Sequence, residues 1–290
     1  MCKYWRCLFI GFALGFGLAG GANIAFAQDL NAGQGDVGGF GISVNSTNQE
    51  QAPTLADTPR TVVVGIKGLI SKNSAKKISQ SLVQVSGDPI PAGLIVLLDS
   101  SGGDGMAAIH IGRLLRKANA HIFVTGECSS ACIFILASGV VRVAPSYSVG
   151  IHRGRITMSD ANAKIIKEVD ISTNPSAKAA LQRFESEAPV FLEEMGMSSE
   201  LFPLMQSHQL KGVYRLSAPE ISKMGLSGFD NAYLDKRVEV FKQRGHLFPV
   251  DRDELKKRTM RVASRCSGFE KQHPEFIRCY QETLRNPFIN

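Results

Sequence analysis

The chain has 290 residues, 44% of them hydrophobic and 20% charged, with a mean hydropathy of -0.01. That composition excludes a disordered, collagen-like or polytopic membrane protein and leaves room for one sizeable core plus an accessory segment. Lys and Arg number 33 against 26 Asp and Glu, a formal charge of +7; this permits contact with anionic surfaces without requiring it.

Lys3 and Arg6 precede an apolar stretch from Cys7 to Ala22, and Ala25-Phe26-Ala27 stands before Gln28. A positive start, an apolar middle and A-x-A describe a secretory signal peptide over 1–27, cut after Ala27. The competing reading is an uncleaved anchor in the inner membrane. Cleavage removes Cys2 and Cys7 and leaves Cys128, Cys132, Cys266 and Cys279. Four cysteines in an exported chain allow two disulfides by three connectivities. Cys266–Cys279 is the favoured pair, with Cys128 and Cys132 as the second. C-x3-C without a further Cys or His at ligand spacing gives no reason to expect a metal, and no cofactor is expected.

Residues 28–60 are rich in Gly, Asn, Gln and Pro and read as a flexible linker. TVVVGIKG from Thr61 is a buried-strand pattern. SKNSAKKISQSLVQV follows as an amphipathic helix, capped by Ser71 or Asn73, with Ile78, Leu82 and Val85 on one face. GLIVLLDS is a continuous apolar run, the mark of a parallel strand buried on both faces. AAIHIGRLLRKA reads as a helix, HIFVTGE as a strand, CSSACIFILASG as an apolar helix, and VVRVAP and SYSVGIHR as further strands. Alternating strands and helices predict an α/β fold with a largely parallel sheet. Residues 173–199 suggest a long helix and 200–205 a shorter one; Ser217 caps another that stops at Gly225.

The core domain is expected to span 61–235, with a basic helical extension over 236–290. From Lys236 to Arg285 there are 13 Lys/Arg and 7 Asp/Glu, a net of +6. A solvated helix packed on its parent domain is the plainer reading of this segment; docking to an anionic envelope surface is the other. Export argues against nucleic acid.

Three segments carry possible chemistry. Asp99-Ser100-Ser101-Gly102-Gly103-Asp104-Gly105 joins a strand to a helix, where glycines let backbone N–H groups face an anion. Gly126-Glu127-Cys128-Ser129-Ser130-Ala131-Cys132 does the same ahead of an apolar helix, whose N-terminus favours a developing oxyanion. His152 closes a strand-like run and has the place of a general base. Singly, each has a structural explanation.

Read in order, LDSSGGDGMAAIHIGRLL, GECSSACIFILASG, VGIHRG and YRLSAPEISKMGL resemble the ClpP/crotonase superfamily. The likeness is greatest to exported bacterial ClpP-like serine peptidases, and it covers roughly 61–230. It implies a ClpP/crotonase-like fold of repeated β-β-α or βαβ units, with the helical extension added. It implies Ser130 as nucleophile, fourth after Gly126 as in the family's G-x-A-A-S, and His152 as base. Ala131 and Gly103 match the oxyanion-hole donors. The implied partners are a peptide or protein substrate and other copies of the chain in a trimer-based ring, without an ATP-driven unfoldase. Two departures stand out. The family's acid position, four residues before the Ser of its F-L-S-A-P-E segment, is Val213 here, so Asp99, Asp104 or Asp160 would have to substitute in space. Cys128 and Cys132 flank the serine where small residues are usual, which suggests packing or a disulfide brace. The remaining alternative is an inactive ClpP-fold scaffold or peptide-binding protein of the cell envelope.

Overall fold

The computed structural model describes residues 24–25, 41–46, 61–86, 93–159, 165–208, 212–243, 251–266 and 273–285. In chain order the elements are β1 (Ile24–Ala25), β2 (Gly41–Ser46), β3 (Thr61–Ile70), α1 (Lys72–Ser86), β4 (Gly93–Gly103), α2 (Gly105–Lys117), β5 (His121–Ser129), α3 (Cys132–Ala137), β6 (Val141–Val143) and β7 (Val149–Ile151). There follow β8 (Arg155–Ser159), β9 (Ile165–Glu168), α4 (Pro175–Glu194), α5 (Leu201–Ser207), β10 (Tyr214–Arg215), α6 (Ala218–Lys223), β11 (Gly228–Phe229), α7 (Asn231–Gln243), α8 (Arg252–Arg265) and α9 (His273–Arg285).

The result is the expected mixed, mostly parallel α/β architecture. One sheet runs β10-β7-β5-β4-β3-β2, with β6 and β11 branching from β5. β3, β4 and β5 are parallel, and β5 forks: its start pairs with β6 and its end with β7. The edges are antiparallel, β2 on β3 and β10 on β7. A second, three-stranded sheet is β1-β8-β9.

Why the central strands are continuously apolar is visible in their alternation. Leu94, Val96 and Leu98 of β4 enter one buried cluster together with α1–α4. Ile95 and Leu97 enter another, built with Val262, Cys266, Phe276, Cys279 and Tyr280 of the C-terminal helices. Since successive side chains point to opposite faces, a strand covered on both sides must be apolar at every position. The C-terminal helices α8 and α9 therefore lie on the sheet with their apolar residues inward. α7 crosses position 235 without a break.

Local signals explain the helix ends. Ser71, rather than Asn73, caps α1, its Oγ accepting the Ser74 N–H at 3.3 Å. Asn174 Oδ1 accepts from Ala177 N–H at 3.0 Å to start α4. Glu220 Oε2 accepts from the Ser217 N–H at 2.8 Å, closing a capping box at α6. Six strands were not expected from the sequence. β2 lies within the stretch read as linker and β1 within the stretch read as signal peptide; β8 and β9 form a hairpin, and the two-residue strands β10 and β11 pair with β7 and β6. The rest of 1–60 is outside the described residues. Among the described residues no helix is long and apolar enough to cross a membrane.

Candidate active site

The three segments singled out above come together at the carboxyl ends of adjacent parallel strands, where α/β sheets place their ligands. Ser100 of β4 pairs with Cys128 of β5; Cys128 pairs with Val149 and Ser129 with Gly150 of β7. His152 follows β7 directly.

Ser130 occupies the turn between β5 and α3 with φ +63°, a left-handed conformation that non-glycine residues rarely adopt. Its N–H donates to Gly150 O at 2.8 Å and its carbonyl accepts from Ile133 N–H at 3.2 Å. Its Oγ is buried and has no hydrogen-bond partner. Ser129 differs, because its Oγ donates to Glu127 Oε2 at 3.3 Å. The same carboxylate oxygen accepts from Arg215 Nη2 at 2.5 Å, tying β10 to β5. Of the two adjacent serines, only Ser130 has its hydroxyl uncommitted.

The double glycine lies against this serine. A Cβ on Gly102 would come within 2.5 Å of Ser130 Cβ and 2.8 Å of its Oγ, so no side chain fits there. Gly102 is thus a site residue that sequence reasoning missed. The only sequence signal for it is the glycine pair itself, which does not say which member makes the approach. Gly102 N–H donates to Ser100 Oγ at 3.1 Å. Asp104 N–H goes to Ile70 O on β3 at 2.8 Å. Gly103, at φ +137°, is pressed against β3, where a Cβ on it would come within 2.1 Å of the Ile70 carbonyl oxygen. Ala131, the residue before α3, has helical φ and ψ, and its N–H is one of the donors a helix start leaves outside the ladder.

His152 is buried, 4% exposed. Its Nδ1 bonds the Arg153 carbonyl at 2.7 Å; a carbonyl only accepts, so Nδ1 carries the proton and Nε2 holds the lone pair. Burial pushes its pKa down to about 4, with a further push from the nearby Arg155 charge and a partial offset from the Arg153 carbonyl bond.

The candidate acids are placed as follows. Asp99 pairs with Lys67 Nζ at 3.2 Å and accepts the Glu127 N–H at 3.1 Å. Asp104 caps α2, its Oδ1 accepting from Met106 and Ala107 N–H groups at 2.9 and 3.0 Å; burial nonetheless raises its pKa above the usual carboxylate value. Asp160 lies outside the described residues. Val213 is beside the site: Tyr214 pairs with Ile151 and Arg215 with Gly150, so the next pair in that antiparallel register is Val213 with His152. The described residues contain no group of three His, Cys, Asp or Glu side chains arranged to hold a metal ion.

Both cysteine pairs stand at bonding distance, Cys128 with Cys132 and Cys266 with Cys279. The first brackets Ser130; the second joins α8 to α9. A second, partly buried histidine lies on the far face. His121 Nε2 meets the Tyr233 hydroxyl at 2.5 Å, and its Nδ1 meets the Tyr280 hydroxyl. Burial holds its pKa at about 3.

The two imidazoles set an acid limit. Unfolded, each takes up a proton below about pH 6.5; folded, His152 does so only near pH 4 and His121 near pH 3. The unfolded chain therefore binds more protons in that window, so stability is full above about pH 6.5 and falls as the pH drops towards 4. Melting temperatures of the purified chain are expected to decline steadily between about pH 6.5 and 4.5, ahead of carboxylate titration. A flat profile there would mean that the imidazoles titrate normally in the fold.

No protein-family model matches the chain, and no curated protein does. Among solved structures, a point mutant of ClpP1 from Listeria monocytogenes is similar, at 16% identity and a TM-score of 0.41, over 59% of this chain and 92% of that one.

Proposed function

We propose that the chain is an exported, ATP-independent serine hydrolase of ClpP type, acting as an endopeptidase on polypeptides of the cell envelope. The observation that carries this reading is Ser130: a left-handed residue with a buried, uncommitted hydroxyl, two positions before the first residue of α3, whose N–H is bonded to Gly150 on the strand that His152 follows. Such a turn aims a hydroxyl at substrate while the next N–H is free to meet the oxyanion.

In the proposed reaction Ser130 Oγ passes its proton to His152 Nε2 and attacks a peptide carbonyl. The N–H groups of Ala131 and Gly103 hold the oxyanion, and His152 returns the proton to the leaving amine. Water then enters by the same route, with His152 as base, and releases the acyl group. Ser130 Oγ has no hydrogen bond to give up before it transfers its proton. The Arg153 carbonyl fixes the tautomer in which Nε2 can accept. Export rests on the leader pattern of 1–27, and assembly into a trimer-based ring on the resemblance.

A second reading, an inactive scaffold or peptide-binding protein, is favoured by Val213 at the acid position and by the absence of a Ser130–His152 hydrogen bond. A fluorophosphonate probe separates the two. The parent chain is expected to gain one adduct by intact mass, on Ser130, with none in Ser130→Ala or His152→Ala. A folded parent chain without adduct removes the hydrolase and leaves the scaffold.

A further inference from the structure

Among the described residues, two buried side-chain polar atoms lack a hydrogen-bond partner. One is Ser130 Oγ and the other is Arg155 Nε. Folded proteins rarely leave such atoms unpaired, because each costs about 1–3 kcal/mol. For Ser130 the proposed chemistry supplies the reason. Arg155 requires its own.

Arg155 opens β8, three residues after His152. Its place is fixed from behind by Gly154, where a Cβ would come within 3.0 Å of Phe184 Cε1 on α4, so the turn is pressed onto that helix. Its guanidinium is close enough to His152 to disfavour the imidazolium. Its carboxylate contact is thin. Glu168 Oε2 stands 4.0 Å from Arg155 Nη1, while Glu168 Oε1 is 3.5 Å from Arg153 Nη2. One half-exposed carboxylate thus serves two guanidiniums. Glu168 approaches on the Nη1 side, which leaves the edge formed by Nε and Nη2. That edge presents two parallel N–H groups with the spacing of a carboxylate's two oxygens.

Resting on the hydrolase reading of the site, we propose that the Nε–Nη2 edge of Arg155 receives a carboxylate of the polypeptide substrate, so that Arg155 selects peptides with an acidic group beside the bond placed at Ser130. An Asp or Glu side chain and a free C-terminus both supply that chemistry. A neutral neighbour such as Gln offers the orphaned donor one uncharged acceptor oxygen instead of a charged pair, and a basic one offers none.

The test is binding, not turnover, so it stands apart from the fluorophosphonate result. Three fluorescein-labelled hexapeptides of one sequence are titrated onto full-length Ser130→Ala by anisotropy. The first has an internal Glu and an amidated end, the second Gln and a free C-terminal carboxylate, and the third Gln and an amidated end. At least one carboxylate peptide is expected to bind about ten-fold or more tighter than the neutral one, as befits a charge-assisted pair; which one does so identifies the source of the carboxylate. Arg155→Gln in the same background should bring that ratio close to one. Arg155→Lys, which keeps charge and stem but not the paired donors, should lose several-fold of the preference, and it decides the matter if the glutamine variant does not fold. Equal binding of all three peptides, binding of none up to about 1 mM, or a preference unchanged in Arg155→Lys or in folded Arg155→Gln overturns the proposal.

Discussion

Val213→Asp is expected to make Ser130 react with a fluorophosphonate about 10–100-fold faster than the parent chain, as part of the roughly 10^4 that an orienting acid contributes in serine–histidine–aspartate sites. The β7–β10 register sets residue 213 opposite His152. Val213 is 41% exposed, and its Cγ1 lies 2.2 Å from where a Gly150 Cβ would be. An aspartate of similar size therefore enters without burying a charge. In the parent chain the base is handicapped. Burial holds its pKa at about 4, which makes Nε2 a poor proton acceptor and leaves the imidazolium unsupported. A carboxylate beside the ring favours the charged form, raising the pKa and stabilising the cation formed as Ser130 attacks. The acid limb of the rate profile should accordingly move to higher pH. Val213→Asn, equal in size and uncharged, should give neither change. If Asp and Asn variants label alike, position 213 does not communicate with His152, and the register argument for the site fails.

The place of residue 213 opposite His152 follows from the β7–β10 register, whereas the central strands were legible in the sequence. GLIVLL and HIFV are apolar at consecutive positions because β4 and β5 are covered on both faces. This pattern survives in sequence because it does not depend on which partner does the covering. What covers the second face was only half legible. The basic surplus of 236–290 drew attention to charge, while a few apolar positions, Val262, Phe276 and Tyr280 among them, bury the segment against the sheet. Short polar strands such as β8 and β9 carry too few residues for alternation to register. Within the candidate site, the glycine pair and the serine pair drew attention because they stand at strand-to-helix turns, and His152 because it closes a strand. Several distinctions were not. That Gly102 rather than Gly103 touches Ser130, that Ser129 is committed to Glu127, and that Arg155 keeps an unpaired edge all depend on rotation about a few bonds. No composition or periodicity records such rotations.

The two cysteine pairs are expected to separate when each is removed. Closing the loop from Cys128 to Cys132, with a sequence separation of 4, restricts the unfolded chain by about 2 kcal/mol; closing Cys266 to Cys279, separation 13, does so by about 3 kcal/mol. On stability alone the second should matter more. For reactivity the order reverses. A non-glycine residue at φ +63° sits about 1–2 kcal/mol above its preferred conformation and stays there only if its neighbours hold it. Cys128 is anchored in β5 between Ser100 and Val149, Cys132 begins a fully buried helix, and a bond between them leaves the three residues in between little freedom. Cys128→Ala/Cys132→Ala should therefore lower fluorophosphonate labelling of Ser130 by about ten-fold or more, in line with the cost of misplacing a reacting group. Cys266→Ala/Cys279→Ala should melt at lower temperature yet label at the parent rate, since it only loosens α9 from α8 on the opposite face. Both cysteines of the first pair are wholly buried, so a thiol reductant should reach them only through unfolding, and labelling should persist in reductant for as long as the fold does. Equal labelling by both double variants would assign the left-handed turn to the Gly150 hydrogen bond and the Gly102 contact alone, and would leave the disulfide as a brace for the core.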